Sequence, residues 1–293
     1  MNYTLHQLQI FLEVVKQESV TRAAEAMHMT QPALSIQMRN FQQQFDRPLM
    51  EVVGRKIYIT DFGKEIAEMA GRVVKEAQEI KFQTKEYSGE LSGSLKISVV
   101  STGKYVMPYF LAEFLDLHHA VDLQLDVTNK SLVVESLKQN QVDFALVSVR
   151  PDRMDLESID LLENKLYMVG NKEQFDADRP FIFREKGSAT RKGMDEFLKS
   201  RKNRKRLELT SNEAVKQAVI AGLGYSIIPL IGTKHELENG DLFIIPTEGL
   251  PIKTMWQLVW LKGKRHSPAA KAYLEFLSER KEALAKLHFE WYM

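Results

Sequence analysis

The sequence predicts an α/β protein in two parts: a small helical unit closed by a β-hairpin, then a larger unit of alternating strands and helices. Three observations predict it. Residues 5–45 carry three apolar stripes at helical spacing, interrupted near Ser19 and at His28-Met29. Two short β-rich runs, Leu49 to Val53 and Lys56 to Thr60, flank Gly54-Arg55. From Leu95 onward, short apolar runs alternate with helical patterns, which implies parallel sheets covered by helices.

The first helix is predicted over Leu5 to Gln17, with Thr4 as N-cap and Leu5, Leu8, Leu12 and Val15 facing inward beside Phe11. Val20 to Met27 forms the second, and its small Ala23 and Ala24 let another helix cross closely. Thr30 caps the third helix, Pro32 sits in its first turn, and Leu34, Met38, Phe41 and Phe45 form its buried stripe. The opposite face presents Pro32, Ser35, Ile36, Arg39 and Gln43, with Asn40 at its edge. Hydroxyls and amides for base edges, one arginine for guanine or phosphate and one apolar group for a thymine methyl suit a DNA major groove. A solvated helical hairpin is the alternative. The two β-rich runs make a wing with Arg55 at its tip, placed for a phosphate or for solvent.

Asp61 to about Tyr87 reads as one long helix, with Ile66, Met69, Ala70, Val73, Ala77 and Ile80 in a stripe that Thr84 continues. A narrow seam on a long, otherwise charged helix predicts pairing with a second copy, or else packing on its own domain. Ser88 to Ser94 reads as a Gly/Ser joint. Beyond it, strands are predicted at 95–100, 122–127, 143–148, 165–170, 181–183, 207–210, 225–229 and 255–261, with helices at 104–117, 132–140, 190–200, 213–221 and 268–286. Two such sets suggest two lobes, with 165–170 and 255–261 as the crossings. The predicted domains are 1–60, 61–88 and 91–293. Within the last, lobe I covers about 91–164 and 262–293, and lobe II about 165–261.

Composition narrows the function. The 293 residues suit about two domains, and 44% of them are hydrophobic, an ordinary globular share. Residues 1–64 contain seven Lys or Arg against six Asp or Glu, so one copy would hold DNA weakly and oligomerisation must supply affinity. There is no cysteine, which excludes disulfides, thiolate catalysis and Cys-ligated zinc. No leader pattern opens the chain, and the longest apolar stretch, Ala218 to Gly232, is short and interrupted by Gly and Pro, so a soluble cytoplasmic protein is expected. Ser101-Thr102-Gly103-Lys104 matches S-x-x-K without an S-D-N or K-T-G partner, Gly222-Leu223-Gly224 lacks a third glycine, and the histidines show no metal-ligand spacing. Adjacent His118 and His119 would point to different helix faces. An enzyme is therefore not expected, nor a resident cofactor or metal. The basic run Lys199 to Arg206 reads as a solvated loop.

Several segments together carry a resemblance. The N-terminal run LHQLQIFLEVVKQESVTRAAEAMHMTQPALSIQMRNF resembles the winged helix-turn-helix of LysR-type transcriptional regulators. Ile59 to Lys64 resembles that family's step into its linker helix, Leu91 to Ile97 the start of its effector domain, and Arg184 to Arg191 and Ala221 to Tyr225 two further segments of that domain. The resemblance implies a two-lobed, periplasmic-binding-protein-like effector domain and a homo-oligomer, a dimer or dimer of dimers, that binds a promoter dyad in double-stranded DNA and senses a small molecule between the lobes. RNA polymerase is a candidate further partner. A ligand-binding protein whose N-terminal domain serves protein contacts is the rival reading.

The candidate DNA contacts are Thr21, Gln31, Pro32, Ser35, Ile36, Arg39 and Arg55. Three positions depart from the family: Ile36 and Val52 stand where arginine is usual, and Asp46 where glycine is frequent. In parallel sheets, ligands sit beyond the carboxyl ends of strands, at helix N-termini. The candidate effector contacts are accordingly Ser101 and Thr102; Thr128, Asn129 and Ser131; Ser148; and Gly187, Ser188 and Thr190. Hydroxyls and N–H groups in that arrangement suit a small anionic metabolite, although each residue alone is also an ordinary N-cap.

Overall fold

The computed structural model describes residues 2–54, 56–86, 91–199 and 205–292, with all their side chains except those at 75, 78, 79 and 81–86. The chain divides into two compact units, Met1–Gly89 and Glu90–Met293.

In the first unit, α1 (Leu5–Gln17), α2 (Val20–Ala26) and α3 (Gln31–Gln42) are followed by the hairpin of β1 (Met50–Val53) and β2 (Lys56–Ile59), then by α4 (Asp61–Glu86). The first three helices start where an oxygen-bearing cap takes up an otherwise unpaired N–H. Thr4 accepts from the Gln7 N–H at 3.2 Å while Gln7 Oε1 accepts from the Thr4 N–H at 2.9 Å. Ser19 and Thr30 cap α2 and α3 in the same way. Leu34, Met38 and Phe41 are buried, and half-buried Phe45 lays its ring against both Phe41 and Phe62.

Two expectations for this unit need correction. Leu5 is exposed, and the buried positions of α1 are Gln7, Leu8, Ile10, Phe11 and Val14. The stripe is wider than a single helical face because α1 is covered by α2 and α3 and also by α4. For the same reason the α4 stripe is divided. Ala67, Ala70 and Val74 are buried in the domain's own core with Ile66 packed against it, while Met69, Val73 and Ile80 remain 54%, 51% and 67% exposed. The predicted continuation at Thr84 and the wing-tip Arg55 lie outside the described side chains.

In the second unit the main sheet has the order β10-β6-β11-β5-β3-β4, with β9 paired to β6. Its strands are β3 (Gly93–Val100), β4 (Val121–Thr128), β5 (Phe144–Val147), β6 (Leu156–Gly170), β9 (Ser226–Pro229), β10 (Phe243–Ile244) and β11 (Ile252–Leu261). A separate parallel pair, β7 (Phe181–Arg184) and β8 (Arg206–Leu209), meets the rest through a bridge from Phe181 to Tyr225. Helices α5 (Met107–Leu117), α6 (Lys130–Lys138) and α10 (Pro268–Phe289) belong with β3, β4 and β5. Helices α7 (Ala189–Phe197) and α8 (Asn212–Ile220) belong to the second lobe, with β7 and β8, and the short α9 (Lys234–Glu238) follows β9.

The main sheet is mixed rather than parallel. β3 is parallel to β4 and β5, but β11 runs antiparallel to both β5 and β6. The two crossing strands pair with each other from Ile252↔Leu166 to Leu261↔Leu156, with a bulge between Trp256 and Gln257. β6 starts nine positions before the predicted crossing. Its first half carries Glu157, Asp160 and Glu163, which hide the strand pattern in the sequence. The predicted joint also shortens: Ser92 is buried and β3 begins at Gly93, while residues 87–90 lie outside the described chain. The predicted helix from Lys104 is a short 3-10 helix (Ser101–Tyr105) followed by α5. His118 caps α5 with its ring 4.8 Å from Phe114 rather than lying within the helix. Most of the basic run, 200–204, lies outside the described residues. Among the described residues no helix is long and apolar enough to cross a membrane.

A DNA-reading face and a cleft between two lobes

The outer face of α3 is exposed as its spacing requires. Gln31, Pro32 and Arg39 are open to solvent, Ile36 is 53% exposed, and half-buried Ser35 accepts from Gln31 Nε2 at 3.1 Å. Thr21, near the start of α2, is also exposed. The hairpin exposes Val52, Val53 and Tyr58. Its turn uses Gly54 at φ 66°, a left-handed conformation that glycine adopts without steric cost. An exposed isoleucine flanked by arginine and glutamine has no packing role inside the domain, and its side chain is available to a partner.

The hairpin is anchored to α4 by a single threonine. Thr60 Oγ1 donates to the carbonyls of Pro48 (2.7 Å) and Leu49 (3.2 Å) and accepts from the Gly63 N–H at 2.9 Å. Gly63 in turn lies so close to the strand entry that a Cβ there would stand 1.9 Å from the Leu49 carbonyl oxygen. This is the physical content of the Thr-x-x-Gly spacing.

In the second unit, six of the nine candidate effector residues line one cleft: Ser101, Thr102, Asn129, Ser148, Ser188 and Thr190. Thr128, Ser131 and Gly187 flank the lining without joining it; the Thr128 carbonyl accepts from the Ser101 hydroxyl at 3.3 Å. Three helices begin at this cleft. Asn129 caps α6, accepting from the Leu132 N–H at 3.0 Å; Ser188 caps α7, accepting from the Arg191 N–H at 3.1 Å; and Asn212 is the first residue of α8. Unpaired N–H groups and the positive ends of three helix dipoles converge there, which favours negative charge. The cleft is small, with about 40 Å³ open to the centres of water-sized groups, so it suits a compact ligand.

Lys130, Arg184, Glu185 and Asn212 complete the polar lining and were not anticipated from the sequence. Arg184 had a usable signal. It directly follows the apolar run Phe181-Ile182-Phe183, at the carboxyl end of β7, where the strand-end rule places ligands. The Ser, Thr, Asn and Gly positions carry the same strand-end signal as this arginine.

The lobes also touch beside the cleft. The Tyr105 hydroxyl donates to Glu213 Oε2 at 2.8 Å, joining the 3-10 helix of lobe I to α8 of lobe II. Its ring lies so near Gly232 that a Cβ at that glycine would be 2.4 Å from it. Burial, then the Glu213 carboxylate, hold the phenol above its ordinary range, so it remains a neutral donor. Glu213 also pairs with Lys216 at 3.2 Å, and Lys216 with Glu236 at 2.5 Å.

Residues 5–64 match the family described as bacterial regulatory helix-turn-helix protein, lysR family, and residues 88–282 match the LysR substrate binding domain. The chain is 35% identical to the RuBisCO operon transcriptional regulator of Allochromatium vinosum, over 94% of this chain and 96% of that one. It is 31% identical to the HTH-type transcriptional activator CmpR of Synechocystis sp., over 97% and 98% of the two chains. Among solved structures, the regulatory domain of Synechocystis CcmR in complex with 2-PG is similar at 31% identity and a TM-score of 0.61, covering 65% of this chain and 98% of that one. Full-length CbnR complexed with target DNA shares the fold at 18% identity and a TM-score of 0.65, covering 94% and 99%. The helix-turn-helix with its exposed reading face, the long helix and the cleft between two α/β lobes are thus those of a DNA-binding, effector-responsive transcriptional regulator, and the chain belongs to the LysR family.

Proposed function

We propose that this regulator binds a compact, multiply charged anion, a phosphorylated small acid, in the cleft, and that it controls genes of inorganic carbon assimilation. The observation that carries the ligand class is the convergence of three helix N-termini, Arg184 and the hydroxyls of Ser101, Thr102 and Thr190 on one small cleft. The relatives support the wider reading. A second RuBisCO operon regulator, from Acidithiobacillus ferrooxidans, is 34% identical, and the CcmR domain at 31% identity was solved with 2-PG. Calorimetric titration of the full-length protein with 2-PG and with inorganic phosphate tests it. Saturable binding is expected, and Thr102→Val should weaken it about tenfold, the effect of one hydrogen bond to a charged group. Absence of binding by the wild type would overturn the ligand class.

On the DNA side, α3 supplies the base contacts through Gln31, Pro32, Ser35, Ile36 and Arg39, with Thr21 and Arg55 on phosphates. Exposed Ile36 packs on a thymine methyl, where a family arginine would select guanine. Ile36→Arg should therefore change the preferred half-site in a binding-site selection; an unchanged preference would count against the contact. Two copies pair through Met69, Val73 and Ile80, which share one face of α4 within about 40° at helical spacing.

A further inference from the structure

Arg184 is a buried cation whose only side-chain partner among the described residues is the residue that follows it. Its side chain is 3% exposed, and its Nε and Nη2 donate to Glu185 Oε2 at 2.7 Å and Oε1 at 2.6 Å. This is the two-pronged geometry with which a guanidinium takes a carboxylate or phosphate. Nearby Arg191 is a different kind of residue. It is tied to Asp195, to Glu208 and to the Arg184 carbonyl, so its hydrogen bonds are committed to holding α7 against β7 and β8. Glu185 instead keeps 27% of its side chain exposed, and both members of the pair line the cleft. The other charged lining residue, Lys130, forms no ion pair among the described residues. The lining therefore carries two cations and one carboxylate, and that carboxylate occupies the best anion-binding edge.

We propose that Glu185 is a resident competitor: an anionic ligand takes over the Arg184 fork and Glu185 turns out toward solvent. The proposal rests on the reading of the cleft as an anion site. Its consequence is selectivity. Glu185 is attached to the chain, so it competes at a high effective concentration. A ligand offering one carboxylate replaces one singly charged group by another and gains little. A doubly charged phosphate gains the stronger attraction to Arg184 and Lys130, together with the helix N-termini. Glu185 thus excludes abundant monoanions and admits phosphorylated acids.

The test titrates inorganic phosphate, 2-PG and acetate into full-length wild type, Glu185→Gln, Arg184→Gln and the double variant. Glu185→Gln should bind phosphate about tenfold tighter and should bind acetate measurably, so the preference for phosphate narrows. Arg184→Gln should lose at least about tenfold for phosphate, and in that background Glu185→Gln should change affinity by less than about threefold. Phosphate binding that is unchanged or weaker in Glu185→Gln would overturn the proposal, because Glu185 would then be holding Arg184 in place for the ligand. Tightening that persists at full size without Arg184 would also overturn it, as a general field effect. Binding of neither phosphate nor 2-PG by wild type and Glu185→Gln alike would instead overturn the anion reading of the cleft, and the proposal with it. Should Arg184→Gln melt far below the wild type, the phosphate-to-acetate ratio of Glu185→Gln decides alone.

Discussion

Gly63→Ala should destabilise the N-terminal unit by about 3 kcal/mol, because the added methyl cannot be placed without moving backbone. Its Cβ would meet the Leu49 carbonyl oxygen at 1.9 Å, the Leu49 carbonyl carbon at 2.9 Å and Ile59 Cγ2 at 3.0 Å. No rotamer relieves these contacts, since the clash is with Cβ itself. The first turn of α4 must lift away from the strand entry, and the Thr60 bonds to Pro48 and Leu49 are strained with it. For a unit of this size the loss corresponds to a fall of roughly 15 °C in melting temperature. Gly71→Ala in the same helix is the control. Nothing lies within 4 Å of its would-be Cβ, so alanine should stabilise by about 0.5–1 kcal/mol through helix propensity. Calorimetric melting of the two variants decides the matter. Equal melting temperatures would show that the approach of α4 to Leu49 is not what the glycine is for.

The second large effect is expected at Val73→Asp, which should break the proposed α4 pairing and dissociate the oligomer. Val73 lies between Met69 and Ile80 on the exposed face of α4, and α4 spans 26 residues, ~39 Å at 1.5 Å per residue. Two-fold pairing would bury the new carboxylate twice per dimer, each without a cation assigned to it, at a cost of several kcal/mol. The dimer dissociation constant should rise at least about a thousandfold, readable by sedimentation equilibrium. DNA affinity should fall with it, because residues 1–64 carry only one net positive charge and a single copy has little phosphate attraction to rely on. Val73 has no place in the buried core of its own domain, so the melting of the N-terminal unit should change little. A variant that remains dimeric at the wild-type concentration would move the interface elsewhere.

Much of the molecule was legible because its signals are short-range. The Thr4, Thr30 and Ser188 caps, the Gly54 turn and the starts of α6, α7 and α8 follow from residues within one helical turn of each other. Six of the residues that the strand-end rule names line one cleft, although they come from four separate segments. What it missed was the charged lining. Arg184 and Glu185 are ordinary polar residues in sequence, and only the closure of β7 against the rest of the lobe makes one of them buried.

The sequence by itself therefore determined most element types, the helix caps, which face of α3 is exposed and which strand ends line the cleft. Periodicity and capping are properties of neighbouring residues. Tertiary structure alone decided which side of the α4 stripe is buried, that β6 and β11 run antiparallel along their shared length, and that Arg184 faces the cleft paired with Glu185. Each of these depends on packing by segments distant in the chain. α1 covers Ala67, Ala70 and Val74 but leaves Val73 open; β11 reaches back about ninety residues to find β6; and the desolvation that makes a guanidinium selective comes from the packing of a whole lobe around it.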